Sequence, residues 1–359
     1  MENVDLCQKL LAQIIATLDG RRLRFMEVCG THTVALFRTG IRHLLPENIV
    51  HLSGPGCPVC VTHDSEIAAF LELAKREDVV IATFGDLLRV PGPSGMTLKS
   101  ARAEGARVEI VYSPLDAVRL AQKHTDVTVV FLGIGFETTA PTVAGSIARA
   151  KELGLHNFCV FSLHKLVPPI LRTIVEEQDC MVDAFLLPGH VSTIIGLAPY
   201  AFLAEEFALP SVVGGFEALD LLLALALLVR DYVEKKAVVR NAYPRAVFDQ
   251  GNPKATAMIE EFFEPSEALW RGLGSIPNSG LILRDKYAEF DARVRFGITL
   301  SEVQSPPGCR CGDVLKGVLS PASCPLFGKR CTPREPVGPC MVSTEGSCAA
   351  WYNYYYTSH

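Results

Sequence analysis

The sequence predicts an α/β protein built from two open parallel sheets, followed by a smaller domain stapled through sulfur. Three observations carry this. Eight short apolar runs alternate with amphipathic helical patterns between residues 23 and 213. The alternation fades after Val238, where Pro, Gly and Cys become frequent. Six of the twelve cysteines then fall between Cys309 and Cys348. At 359 residues the chain is long enough for two or three domains.

The expected strands are Leu23–Val28, Ile49–Ser53, Val79–Phe84, Val108–Tyr112, Val127–Gly133, Phe158–Leu163, Ala184–Leu187 and Ser211–Val213. They are short and rich in Val and Ile, and they are apolar throughout rather than alternating. That is the pattern of strands buried on both faces. Between them, Val34, Phe37, Ile41, Leu44 and Leu45 fall on one helical stripe, as do Ile67, Phe70, Leu71 and Ala74. Repeated β–α units imply parallel pairing with right-handed crossovers. Eight such strands could close a barrel. Two open sheets are preferred, split near Ser113-Pro114, which gives domains 1–114, 115–238 and 239–359. The connection from Leu87 to Gly105, with Pro91-Gly92-Pro93-Ser94-Gly95, reads as a surface loop over the site. The aromatic tail from Trp351 to Tyr356 reads as a last helix or strand.

Composition excludes several function classes. The net charge is −5 and there is no basic run, so nucleic acid is not an expected partner. Met1 to Leu10 carries Glu2 and Asp5 in place of a basic, then apolar, signal segment. The longest apolar run, Leu221–Val229, is too short to span a bilayer, so no membrane association is expected. Twelve cysteines in a long chain of this kind fit a reducing cytoplasm, where cysteine clusters bind metal or exchange electrons. Cys7, Cys159 and Cys180 lie in apolar patterns and read as inert core thiols.

The chemistry-bearing residues follow strands. Cys29-Gly30-Thr31-His32 comes after the first. A thiolate at a helix start is stabilised by the helix dipole, which lowers its pKa. His32, one turn on, could hold Cys29 as thiolate or hand it a proton. The alternative is a buried cysteine beside a capping Thr31 or Thr33. Cys57-Pro58-Val59-Cys60 follows the second strand, behind Gly54 and Gly56. The spacing permits a disulfide or a shared metal, the glycine turn is expected to keep both thiols accessible, and Thr62 or Asp64 can cap the next helix.

Gly133-Ile134-Gly135-Phe136-Glu137-Thr138 has two glycines of a dinucleotide turn but not the third, and no acidic residue for a ribose follows the next strand. Site lining through Glu137, Thr138 and Thr139 is an equal reading, and a weak ATPase activity is left open. His164-Lys165 and Pro188-Gly189-His190 also end strands, which suggests a shared crevice. Cys309-Arg310-Cys311, Cys324, Cys331, Cys340 and Cys348 lack the paired CxxC knuckles of common zinc modules. Soft thiolates suit an iron–sulfur cluster as well as zinc.

Taken together these segments resemble the HypD family of nickel–iron hydrogenase maturation factors. The matching stretches are Phe25 to Thr33, Ser53 to Cys60, Gly135 to Pro141, Leu187 to Ser192, Cys309 to Asp313, Cys324 to Gly328 and Met341 to Ala349. They span essentially the whole chain. The resemblance implies two Rossmann-like domains and a third domain with a 4Fe–4S cluster. It implies a scaffold that builds the Fe(CN)2(CO) unit for the hydrogenase large subunit. A small HypC-type partner would share the iron with Cys29, and a HypE-type donor, charged with the help of HypF, would supply cyanide. On that reading Cys57 and Cys60 provide electrons, and His32 orients the site or moves protons. Gly30, Thr31, Gly54, Gly56, Glu137, Thr138 and His190 line it. Cys324, Cys331, Cys340 and Cys348 hold the cluster, with Cys309 and Cys311 as an exchangeable pair or with Cys311 replacing Cys340. Two other classes remain open on the residues: an iron–sulfur-dependent thiol–disulfide oxidoreductase, and a zinc-bound structural adaptor.

Overall fold

The computed structural model describes residues 2–354 apart from 94 and 302, and it contains all eight expected strands. They are β1 (Leu23–Glu27), β2 (Ile49–Ser53), β3 (Val79–Thr83), β4 (Val108–Ile110), β5 (Thr128–Gly133), β6 (Phe158–Ser162), β7 (Ala184–Pro188) and β8 (Ser211–Gly214). Three further strands follow: β9 (Val239–Asn241), β10 (Phe263–Trp270) and β11 (Gly274–Leu283).

Two parallel sheets form, in the orders β2-β1-β7-β8-β9 and β4-β3-β5-β6. The expected split at Ser113-Pro114 does not divide them. After β2 the chain leaves the first sheet, builds all of the second, and returns with β7. β1 lies between β2 and β7, with Phe25 opposite His51 on one side and Ala184 on the other. The strands are alike in composition, so nothing local marks which sheet each one joins.

The boundary at Val238 also fails to separate packed units. β9 extends the first sheet. The helix Pro253–Phe262 and the antiparallel hairpin β10–β11 pack on the second, where Phe262, Phe263, Leu281 and Leu283 join Phe131 and Phe158 in one core. The late cysteine-bearing segment has a smaller cluster of its own. Phe327, Cys331, Met341 and Trp351 pack there around Phe37 of the helix Gly30–Arg38. The tail is helical over Ser347–Tyr354, and the rest of the expected tail element, residues 355 and 356, lies outside the described residues.

Local signals account for other departures. The apolar stripe from Val34 to Leu45 is broken at Gly40, whose φ of +75° ends one helix before Ile41–Leu44 begins. Leu44 is left 59% exposed, although Ile41 and Leu45 are buried as expected. The connection after Leu87 is not structureless. It holds a 3-10 turn, Gly85–Arg89, and a helix, Leu98–Ala103.

Candidate functional site

The carboxyl ends of strands from both sheets open on one cleft of about 590 Å³. Loops in that position form the binding crevice of open α/β sheets. Cys29 and Thr31 come from β1, Gly56 and Pro58 from β2, Asp86 from β3, Thr138 and Thr139 from β5, and His190 from β7.

Two loops meet beneath Cys29. The Gly54 amide donates to the Glu27 carbonyl at 2.8 Å, and the Gly30 amide donates to the Gly56 carbonyl at 2.9 Å. A Cβ at Gly56 would stand 2.2 Å from the Cys29 nitrogen, so only glycine lets the backbones approach this closely. Buried Glu27 completes the junction. Its Oε2 accepts the Cys29 N–H at 2.9 Å and its Oε1 accepts the Thr33 hydroxyl at 2.5 Å. Burial pushes the pKa of this carboxyl up to about 8, against those hydrogen bonds.

Cys29 itself departs from expectation. It caps the helix Gly30–Arg38, yet its pKa is pushed up to about 12 rather than lowered. Burial is the largest cause, and the negative charges of Glu345 and Glu27 add to it. The His32 amide and the Thr31 hydroxyl act in the opposite direction and are outweighed. The thiol is thus held protonated at pH 7.

His32 is also turned elsewhere. Its buried Nε2–H donates to the Gly214 and Gly215 carbonyls at 3.2 and 3.1 Å, at the end of β8. Burial lowers its pKa to about 4, so the ring is neutral at pH 7. It braces the first sheet instead of facing Cys29.

Cys57 and Cys60 are joined as a disulfide across the short helix Pro58–Val61. Both are buried, contrary to the accessibility expected of a glycine turn, and the cleft wall shows Pro58 and Val59 rather than sulfur. The following helix is capped by His63, not by Thr62 or Asp64.

Thr138 and Thr139 line the cleft, but Glu137 does not. Its Oε1 accepts the Val167 amide at 2.8 Å, and it faces a second, apolar cavity. His164 and Lys165 are absorbed into the core. The first lies 3.0 Å from the Ser162 hydroxyl, and the second forms a 2.7 Å ion pair with Glu66. His190 does reach the cleft, with its ring stacked 3.9 Å from that of Phe216.

Glu345 was missed as a site residue. It reaches the cleft from the far end of the chain, and its carboxylate accepts the Thr31 hydroxyl at 2.7 Å across 314 positions. The backbone of Glu345 packs directly on Gly30. Its place in the Met341–Ala349 stretch was the available signal.

All six late cysteines line one small cavity with Leu326, Phe327 and Met341. Cys311 and Cys340 bring their sulfurs within 3.2 Å, and the Val337 amide donates to the Cys331 sulfur at 3.4 Å. Burial pushes Cys309 up to about 11. Cys311 is raised well above its ordinary range, first by its contact with Cys340 and then by burial. Apolar walls, soft donors and an N–H aimed at sulfur fit a thiolate-held metal centre. Among the described residues, no three His, Cys, Asp or Glu side chains converge as a site for a single ion. The turn Pro339–Met341 packs against the disulfide helix Pro58–Val61, so the cavity and the cleft share a wall. Of the three thiols read as inert, Cys159 is fully buried while Cys7 and Cys180 are partly exposed. Among the described residues, no helix is long and apolar enough to cross a membrane.

The chain resembles known proteins over nearly its whole length. Residues 5–355 match the family described as "HypD: Hydrogenase formation hypA family". The chain is 46% identical to hydrogenase maturation factor HypD2 of Bradyrhizobium diazoefficiens, over 96% of this chain and 93% of that one. It is 47% identical to HypD of Azotobacter vinelandii, over 97% and 93%. It is also 47% identical to HypD of Escherichia coli, over 93% and 90%. With its cysteine-bearing cleft and this near full-length likeness, the chain belongs to the HypD family of hydrogenase maturation factors.

Proposed function

We propose that the chain is the scaffold on which the Fe(CN)2(CO) unit of nickel–iron hydrogenase is assembled. The iron is its cargo, held between Cys29 and the N-terminal cysteine of a small HypC-type partner. One observation carries the reading: Cys29 is the single thiol lining the cleft among the described residues, at the meeting of both sheets. A protonated thiol avoids a lone buried charge before iron arrives, and iron binding draws the proton off. His190, lining the same cleft, offers a ring N–H to ligands carried by the iron, and Glu345 fixes Thr31 beside Cys29.

Release of cyanide from a thiocyanate-type sulfur breaks an S–C bond and consumes two electrons. The Cys57/Cys60 dithiol, on closing to the disulfide, gives up two electrons and two protons, leaving the donor's thiolate and cyanide. A HypE-type protein, charged with the help of HypF, fits as that donor, and the hydrogenase large subunit as the final recipient, all in the cytoplasm. Cys324, Cys331, Cys340 and Cys348 are assigned to a 4Fe–4S cluster, with Cys309 and Cys311 as an exchangeable pair. The short Cys311–Cys340 contact supports the variant in which Cys311 replaces Cys340. Such a cluster, when bound, supplies single electrons. A plain thiol–disulfide oxidoreductase, or a zinc adaptor, leaves Cys29 and its clamped loop without a task.

Anaerobic purification with the small partner, followed by infrared spectroscopy, tests this. Cyanide and carbonyl stretches are expected, and Cys29→Ala is expected to lose them while keeping its fold. Bands that persist in that variant would remove Cys29 from the assignment.

A further inference from the structure

The turn joining β10 and β11 is wedged between the two sulfur sites. The Arg271 amide donates to the Val61 carbonyl at 2.9 Å, and Trp270 bridges to Thr62, which docks the turn on the Cys57–Cys60 segment. On its other side, Gly272 packs backbone to backbone on Gly312, beside Cys311. A Cβ on either glycine would meet the other residue at 2.4–2.5 Å. The Trp270 indole, fully buried, is pinned by the Ser279 hydroxyl at 2.8 Å. The turn therefore has little freedom to move.

From this turn the Arg271 side chain, 2% exposed, points inward. Its Nη1 donates to Asp64 Oδ1 at 2.6 Å, and the other Asp64 oxygen accepts the Ser305 hydroxyl at 2.8 Å. Arg271 Nη2 is buried without a partner. An arginine so buried, with half of its fork unused, is costly unless another negative charge faces it. Its turn meets Gly312 next to Cys311, which lines the six-cysteine cavity.

We propose that Arg271 is the fixed counter-charge of the six-cysteine centre. It is a positioning residue for electron transfer, held by Asp64 on the turn that packs against Gly312, beside Cys311. The inference rests on the reading of that cavity as an iron–sulfur site. When such a centre accepts one electron it gains one negative charge. A buried positive charge nearby favours the reduced form, and Asp64 moderates that effect.

Redox titration of the full-length protein, purified anaerobically and followed by its visible absorbance, tests this. Iron and acid-labile sulfide are assayed first. Their absence from the unmodified protein would overturn the cluster reading and this inference with it. Where they are present, Arg271→Gln is expected to lower the reduced-to-oxidised ratio at fixed potential about tenfold, equal to about 59 mV for one electron. Arg271→Lys keeps the charge and should shift less. Asp64→Asn leaves the guanidinium uncompensated and should shift the ratio the opposite way. A purely structural pin predicts no such reversal of sign. An unchanged potential in Arg271→Gln, or shifts of the same sign in Arg271→Gln and Asp64→Asn, overturns the proposal and leaves the cluster reading standing. Should Arg271→Gln fail to fold, Asp64→Asn decides alone: a rise supports the counter-charge, and no change or a fall rejects it.

Discussion

The Glu27 carboxyl accepts the backbone N–H of Cys29 at 2.9 Å, two residues along the chain, and both groups are buried. The acid at the end of β1 thereby sets where the thiol sits. Its pKa is raised by burial from 4.5 to about 8. The unfolded chain releases this proton above pH 4.5 while the folded protein retains it. The associated stability is complete below about pH 4.5 and is lost as pH rises through 8. Glu27→Gln keeps the shape and an acceptor oxygen but cannot ionise. The difference in unfolding free energy between the two proteins should change by a few kcal/mol between about pH 5 and pH 8, with the variant gaining relative to the parent at the alkaline end. Denaturant titration at the two pH values measures it, and parallel pH profiles would rule out a buried, protonated Glu27.

Gly56 tests the junction from the other loop. Alanine there puts a methyl 2.2 Å from the Cys29 nitrogen, against backbone that cannot swing aside. Gly56→Ala should cost roughly 3 kcal/mol or more and displace the cysteine loop. Gly145, inside the helix Ala140–Glu152, has nothing within 4 Å of its built Cβ. Gly145→Ala should instead stabilise by up to about 1 kcal/mol. Thermal melts of the pair give opposite signs if crowding, rather than glycine content, decides.

Much of this was legible along the chain and little of it across the chain. Apolar runs such as Val79–Thr83 and Thr128–Gly133 announced buried strands because both faces are covered. Cys29, Cys57 and His190 were legible through their places after strands. The interleaving of the sheets was not, since β1 pairs with β7 across residues that carry no local label. The directions of His32 and Glu137 were also hidden. Each sits at a plausible position in a motif, but the partners that turn it away, Gly214 with Gly215 and Val167, are distant in sequence. The raised pKa of Cys29 followed from burial that a loop position did not reveal. Burial outweighs the dipole of a nine-residue helix.

Buried sulfur at positions 57 and 60 leads to a reactivity prediction. The pair is covered by the Pro339–Met341 turn and shows no sulfur to the cleft. After mild reduction, alkylation of Cys57 and Cys60 in the folded protein should be slow. It should accelerate at least about tenfold in denaturant, because access limits the attack as well as thiolate content. Mass spectrometry of timed, alkylated peptides reads both residues directly. Rapid labelling in the folded state would place the pair at an open surface instead.

The last prediction joins the C-terminal centre to Cys29. Cys331 belongs both to the six-cysteine cavity and to the apolar cluster of Phe327, Met341 and Trp351 around Phe37. Phe37 lies on the helix that Cys29 caps, and Glu345 holds Thr31 at the start of that helix. Metal bound by these thiols would stabilise the segment by linkage, since the unfolded chain offers no preformed site. Cys331→Ser should therefore lose the broad absorbance near ~400 nm expected of thiolate-bound iron and make the chain after about Arg293 sensitive to protease. It should also weaken iron retention at Cys29, although no ligand there has changed, because Glu345 and Phe37 lose their support. Limited proteolysis, visible spectra and infrared bands on one preparation separate the steps. A bleached, protease-sensitive variant that still carried full cyanide and carbonyl bands would show that the two centres are held independently, and Glu345 would then be a bystander to the cleft rather than part of its wall.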